Sequence, residues 1–94
     1  MFDKMKQLME MKKQAGAIKR ELESLTVEVN EIAGIKIVIS GAQSFRSVEI
    51  EESLLSPENK SRFEAGLLRS LNAAIKKSQV MAAQKMASVM PGLQ

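Results

Sequence analysis

The sequence predicts an α+β fold, an α-β-β-β-α protomer in which two long helices flank a three-stranded antiparallel meander. Near both ends of the chain, apolar residues recur every three or four positions, which is typical of amphipathic helices. In the middle they alternate with other residues and are separated by short turns, which is typical of successive antiparallel strands. The 94 residues suffice for a single domain, 1–94, with a thin core.

An isoleucine strand lies at the centre of the predicted sheet. Ile35, Ile37 and Ile39 alternate with other residues, so one face of this strand consists of isoleucine alone. Residues 26–31 also alternate and predict a preceding strand with its valines directed inward, joined to the isoleucine strand by a turn at 32–34. A small sheet of this kind needs helices packed on its apolar face.

The end of the isoleucine strand carries a turn signal. Residues 40–42 have the sequence Ser-Gly-Ala, in which Gly41 is free to take a positive φ. In the strand that follows, Phe45 is out of phase with Val48, which predicts either a β-bulge or a strand that begins at Arg46.

The first helix is predicted over residues 2–24. Its apolar residues follow a heptad pattern, with Leu8, Ala15 and Leu22 at position a and Met11, Ile18 and Leu25 at position d. A seam of this kind indicates packing against another helix, and self-association is the expected way for so small a chain to bury it.

The second helix is predicted from Pro57 to about residue 89. Ser56 is a suitable N-cap and Pro57 a suitable first helical residue, while Leu54 and Leu55 are expected to lie under the sheet edge. One side of this helix is apolar or small: Leu67, Leu68, Leu71, Ala74, Ile75, Ser78, Met81, Ala82, Met86 and Val89.

The predicted second helix is longer than the sheet beneath it. About thirty residues extend ~45 Å at 1.5 Å per residue, so the end that carries Met81, Ala82, Met86 and Val89 overhangs the strands. Another subunit's helix is the simplest cover for these side chains. The predicted dimer interface comprises Leu8, Met11, Ile18, Leu22, Met81 and Met86.

The basic residues are concentrated in the two helices, whereas the middle of the chain is acidic. Lys6, Lys13 and Arg20 share the heptad position opposite the seam, and Arg62, Arg69 and Lys76 repeat at the same seven-residue step. Stripes of this length match the phosphate spacing of a DNA backbone, although ordinary solvated helix faces also carry lysines. With the adjacent cations, the candidate DNA-binding residues are Lys6, Lys12, Lys13, Lys19, Arg20, Arg62, Arg69, Lys76 and Lys77.

The composition argues against most kinds of enzyme active site. The chain has no cysteine and no histidine, so disulfides, thiolate or imidazole metal sites and the common catalytic triads and dyads are excluded. The glycines are isolated, and the methionine spacing indicates core or interface packing instead of a metal site. We therefore expect a protein that is not an enzyme and has no cofactor, metal or small-molecule substrate. No apolar run of membrane-spanning length and no signal peptide is evident, so a cytoplasmic location is expected.

Three segments carry a resemblance to a known family: residues 37–41 (IVISG), 48–55 (VEIEESLL) and 85–89 (KMASV). In this order and spacing, the chain resembles the YbaB/EbfC family of bacterial nucleoid-associated proteins. The resemblance implies an intertwined, tweezer-like homodimer that binds duplex DNA in the cytoplasm with little or modest sequence preference. It also implies a role in nucleoid organisation and gene regulation. These motifs are mainly structural, so the candidate DNA contacts rest on the charge pattern alone.

Two other classes of function fit the sequence. Two helices around a small β element resemble the prefoldin arrangement in outline, and methionine-rich helix surfaces suit a coiled-coil interaction or holdase-like subunit. RNA or ribosome association would use the same electrostatics, although the chain has few aromatic residues for stacking on single strands.

Overall fold

Two long helices and a three-stranded sheet follow one another in the predicted order. The computed structural model describes the backbone of residues 2–89 and the side chains of residues 3–88. The elements are α1 (Phe2–Ser24), β1 (Thr26–Ile32), β2 (Ile35–Ser40), β3 (Phe45–Ile50) and α2 (Lys60–Val89), with two short 3₁₀ turns before α2. The α-β-β-β-α architecture predicted from the sequence is confirmed.

The sheet is an antiparallel meander in the order β1-β2-β3. In the central strand, Ile37 lies opposite Val29 of β1 and Val48 of β3, and directly opposed residues share a face. The predicted inward face is confirmed, since the buried core consists of Val29, Ile35, Ile37, Ile39 and Ala74. Strand β1 extends to Ile32, one residue beyond the prediction, which leaves Ala33 and Gly34 as the turn.

A row of small residues brings α2 close to the sheet. Gly66, Ser70, Ala74 and Ser78 recur every four positions and are all buried, so the helix lies on β1 and β2 along its smallest side chains. A side chain at Gly66 would meet Ile32 and Ile35 at 3.3 Å. At the other end of this row, the Ser78 hydroxyl donates a 2.7 Å hydrogen bond to the Ser40 carbonyl and ties α2 to β2.

The start of α2 differs from the prediction. The α-helix begins at Lys60, and Pro57–Asn59 forms a 3₁₀ turn instead of the first helical turn. The Ser56 side chain makes no capping hydrogen bond. The backbone carbonyl of Ser56 accepts a 3.0 Å hydrogen bond from the Asn59 amide, and the Asn59 side chain donates a 2.9 Å hydrogen bond to the Ser53 carbonyl. These two bonds favour the tighter turn.

The turn after β2 also differs from the prediction. The positive φ of 63° belongs to Gln43, not to Gly41. The Ser40 hydroxyl accepts the backbone amides of Ala42 and Ser44, both at 3.2 Å, and so organises the turn. Gly41 is buried because the C-terminal end of α1 packs against it.

The helices of the same chain leave the inner face of β3 largely uncovered. Phe45 and Val48 lie opposite Ile39 and Ile37 on the core face, yet they are 42% and 46% exposed. The predicted bulge is present, since the register with β2 shifts between Val38 and Ile39, at the start of β3. The expectation that Leu55 lies under the sheet edge is wrong, since Leu55 is 60% exposed, and Leu68 on the apolar side of α2 is 63% exposed.

The chain is elongated. Its extents are 67 × 21 × 18 Å, and its radius of gyration is 18.4 Å, whereas a compact domain of this length would have about 12 Å. Helix α1 produces this shape, because the side chains of residues 3–17 are all exposed and only the end of the helix meets the body. Leu54, by contrast, packs beside Gly34 against the core, as predicted.

Candidate nucleic-acid interface

The first basic surface lies on α1. Lys6, Lys13 and Arg20 occur at seven-residue steps and are exposed, and they span about 21 Å of helix at the usual rise. Ile18 and Leu22 are the half-buried residues of this helix that face Ala42 and Met86. The three cations therefore point away from the side on which α1 meets the body. We call Lys6, Lys13 and Arg20 the α1 stripe.

The second basic surface lies on α2. Arg62, Arg69 and Lys76 are exposed at seven-residue steps, and Lys76 borders a groove between α2 and β1 that Val27 also lines. They also span about 21 Å. We call these three residues the α2 stripe. Because seven residues make almost two full turns, the α2 stripe runs along the flank of α2 on the β1 side.

Three other predicted cations are exposed but do not belong to either stripe. Lys19 borders the groove between α1 and Met86, and Lys12 lies beside the exposed Leu8 and its methionine neighbours. Lys77 borders a groove between α2 and β1 together with Val27 and Glu31, among others. One step along a helix turns a side chain by about 100°, so each of these residues stands beside its stripe, and its contact with DNA stays a prediction.

None of the nine predicted cations forms a carboxylate ion pair in the part of the chain that the structure describes. The ion pairs found there join Lys36 to Glu28 at 3.0 Å and to Glu49 at 3.1 Å, and Lys85 to Glu21 at 3.1 Å. Both stripes thus present ammonium and guanidinium groups to solvent without an acidic partner, as a surface that meets an anion requires.

The outer face of the sheet has the opposite character. Lys36 stands between Glu28 on β1 and Glu49 on β3, so this face carries one more negative than positive charge at that cluster. The hydrogen bond to Glu28, and then that to Glu49, raise the pKa of Lys36 above its ordinary value. The ammonium group is therefore fully charged at neutral pH, and its charge is already matched by carboxylates.

The predicted interface residues fall into two groups. Leu8 and Met11 are 64% and 65% exposed, and Met86 is 44% exposed. Ile18, Leu22 and Met81 are half-buried by their own chain at the place where α1 meets the body. The overhang of α2 is thus partly covered by α1. The predicted Val89 contact lies outside the described side chains.

Sequence reasoning missed an apolar surface on the β3 side of the body. Phe45 and Val48 are exposed there, and Leu68 lies on the flank of α2 that faces away from the β1 groove. We call Phe45, Val48 and Leu68 the uncovered face. The out-of-phase position of Phe45 was the one sequence signal that this edge of the sheet is irregular. The exposure of Leu68 has no such signal, because it depends on how α2 lies across the sheet.

Two other kinds of feature are absent from the described part of the chain. No group of three or more acidic residues there is arranged to hold a metal ion. None of the helices described there combines the length and the apolar character needed to cross a bilayer.

Relatives with known names or structures match almost the whole chain. A nucleoid-associated protein from Syntrophobacter fumaroxidans is 29% identical over 93 residues, which cover 98% of this chain and 84% of that protein. A nucleoid-associated protein from Pelotomaculum thermopropionicum is 34% identical over 83 residues, which cover 87% of this chain and 79% of that protein.

The fold also matches a solved structure. An uncharacterized protein from Helicobacter pylori superposes with a TM-score of 0.77 over 96% of both chains at 20% sequence identity. The sequence model of the YbaB/EbfC DNA-binding family matches residues 1–93. With the family match spanning nearly every residue and two named relatives aligned over most of their length, the chain belongs to the YbaB/EbfC DNA-binding family.

Proposed function

We propose that this protein is a homodimeric, nucleoid-associated protein that binds duplex DNA through the α1 and α2 stripes. The observation that carries this proposal is the absence of carboxylate partners from both stripes in the described structure, while the outer sheet face is acidic. Family membership and the names of the relatives support the same class of partner. A location at the nucleoid in the cytoplasm, with roles in its organisation and in gene regulation, follows from that class.

The stripes fit phosphates better than bases. Each stripe presents three cations along about 21 Å, a length over which duplex DNA offers many phosphates, since it carries about one charge per 1.7 Å of axis. Phosphate contacts position a protein but carry no sequence information. We therefore propose binding with little sequence specificity, in which any preference comes from DNA shape.

A second copy of the chain is the proposed cover for the exposed apolar residues. The accessible area is 7367 Å², about 2,000 Å² more than a compact monomer of this mass would expose. A standard interface removes about 800 Å² from each partner, so the excess is large enough for a stable dimer. Two regions contribute apolar surface to this excess area: the exposed apolar residues of α1, such as Leu8 and Met11, and the uncovered face.

Light scattering at micromolar concentration should therefore give twice the mass of one chain. Leu68→Glu is expected to shift the protein toward the monomer, because it places a charge within the uncovered face, where burial would remove its hydration. Ala83→Glu adds the same charge at an exposed position on the opposite flank of α2 and should leave the mass unchanged. A folded parent that remains monomeric under these conditions would contradict the proposed dimer.

A titration of the protein against duplexes of unrelated sequence, at several salt concentrations, tests the DNA-binding function. Binding should be similar for all duplexes and should weaken steeply with salt, since each phosphate contact contributes about 0.9 to the slope of log affinity against log salt. Binding that is absent at low salt, or that does not depend on salt, would refute the proposed function.

The holdase-like alternative also has a structural observation in its favour. Met5, Leu8, Met9 and Met11 are 64–69% exposed on the projecting helix, and flexible methionine surfaces suit adaptable protein binding. Suppression of the aggregation of an unfolded test protein, without salt-dependent DNA binding, would favour this alternative.

A further inference from the structure

The direction of α1 is set at one end of the helix. The side chains of residues 3–17 are exposed, and those that meet the body, among them Ile18 and Leu22, lie in the last two turns. The helix extends about 28 Å from Leu22 to Asp3 at the usual rise. A small movement at this junction is therefore amplified along the helix and displaces the whole α1 stripe.

Gly41 forms the first part of the junction. Its backbone amide donates to the Leu25 carbonyl at 2.9 Å, just after α1 ends. A Cβ atom at this position would lie 3.0 Å from the backbone oxygen of Leu22 and 3.3 Å from the terminal methyl of Met81. Because its φ lies outside the left-handed region, a larger residue at 41 would strain the contact with α1 and not its own backbone.

Arg46 forms the second part. It lies at the β-bulge that begins β3, and bulges change the direction of a side chain. Its guanidinium donates a 2.9 Å hydrogen bond to the Glu23 carbonyl. The last turn of α1 contains no basic residue of its own, so Arg46 supplies the positive charge that the C-terminal end of a helix favours.

Lys85 forms the third part. Its ammonium lies 3.1 Å from the Glu21 carboxylate and joins α1 to α2. The three contacts come from three different elements, the β2–β3 turn, β3 and α2. Contacts from three elements fix the direction of a helix in a way that one contact cannot.

We propose that Gly41, Arg46 and Lys85 are positioning residues that set the direction of α1 relative to the sheet, and that this direction aligns the α1 and α2 stripes on one duplex. The alignment rests on the DNA-binding function proposed above. The direction of α1 does not depend on it.

Backbone N–H residual dipolar couplings measure the angle between α1 and α2 in a monomer or in a symmetric dimer. Gly41→Val should change this angle, and Gly41→Ala should change it less, while the chemical shifts of the sheet stay native. Gly16→Val is the matched control, because a Cβ atom at Gly16 meets nothing within 4 Å. Arg46→Ala should also change the angle, and Arg46→Lys, which keeps the charge, should partly restore it.

Glu21→Gln separates positioning from simple charge. It breaks the ion pair with Lys85 but removes a negative charge, so electrostatics alone would strengthen DNA binding. The proposed role of the pair predicts a changed angle and binding about tenfold weaker, the reduction expected when two phosphate contacts are misplaced at moderate salt.

An unchanged angle in the Gly41, Arg46 and Glu21 variants would overturn the proposal. A changed angle with parental DNA affinity would overturn the alignment of the stripes but leave the DNA-binding function intact. A parent protein that binds no duplex would refute the function and the alignment together, and the couplings would still decide whether these residues direct α1.

Discussion

Ile37→Ala is expected to lower the free energy of unfolding by about 2–5 kcal/mol, the usual loss when a fully buried isoleucine is truncated to alanine. Ile37 is 0% exposed in the central strand, between Val29 and Val48. Ile39 is equally buried, and Ile39→Ala should have a loss in the same range. A domain with so few buried residues has little stability to spare.

Urea denaturation followed by circular dichroism, at one fixed protein concentration, measures this loss. Val38→Ala is the matched control, since Val38 lies between these two residues but faces the other side of the sheet. It should cost no more than about 1 kcal/mol, the range of β-propensity. Equal losses for Ile37→Ala and Val38→Ala would mean that the core face is assigned wrongly.

The double substitution Lys13→Gln and Arg20→Gln should weaken binding to unrelated duplexes by similar factors. It removes two unpaired cations from the α1 stripe, and a dimer doubles the change. The salt slope should therefore fall by about 0.9 for each phosphate that the variant no longer neutralises. The melting temperature should hardly change, because exposed charges contribute little to stability.

Two controls show whether the position of the charge matters. Lys12→Gln with Lys19→Gln removes the same charge from the same helix at positions beside the apolar seam, and we expect a smaller change in slope. Glu49→Gln with Glu51→Gln, on the acidic side, should not weaken binding. If the Lys13 and Arg20 variant keeps the parental affinity and slope, the α1 stripe is only a solvated surface.

The order and type of the main elements followed from the sequence because each has a local cause. The alternation of Ile35, Ile37 and Ile39 and the three-to-four spacing of the helices depend only on the period of the backbone. The bulge at the start of β3 was also predictable, since Phe45 breaks the alternation before Val48. The 3₁₀ turn before α2 was not, because Ser56 and Pro57 allow both kinds of turn.

The features that the sequence did not predict depend on contacts between distant segments. Gly41 was interpreted as a turn glycine. Its contact with Leu22 could not be predicted, because it depends on where α1 packs in the folded chain. The partners of Arg46 and Lys85 are far away in the chain. Leu68 was placed on the apolar side of α2, and its exposure depends on how α2 lies across the sheet, which the spacing of apolar residues does not reveal.

Lys36 is paired with both Glu28 and Glu49, so the outer face of the sheet keeps an excess negative charge, whereas α2 carries exposed positive charges. The α2 stripe belongs to the helix that covers the inner face of the sheet, whereas these carboxylates stand on the outer face. A duplex held by the α2 side leaves the acidic side facing outward, where it repels the phosphates of a second duplex. With the DNA-binding function proposed above, this arrangement favours the coating of a single duplex over the cross-linking of two.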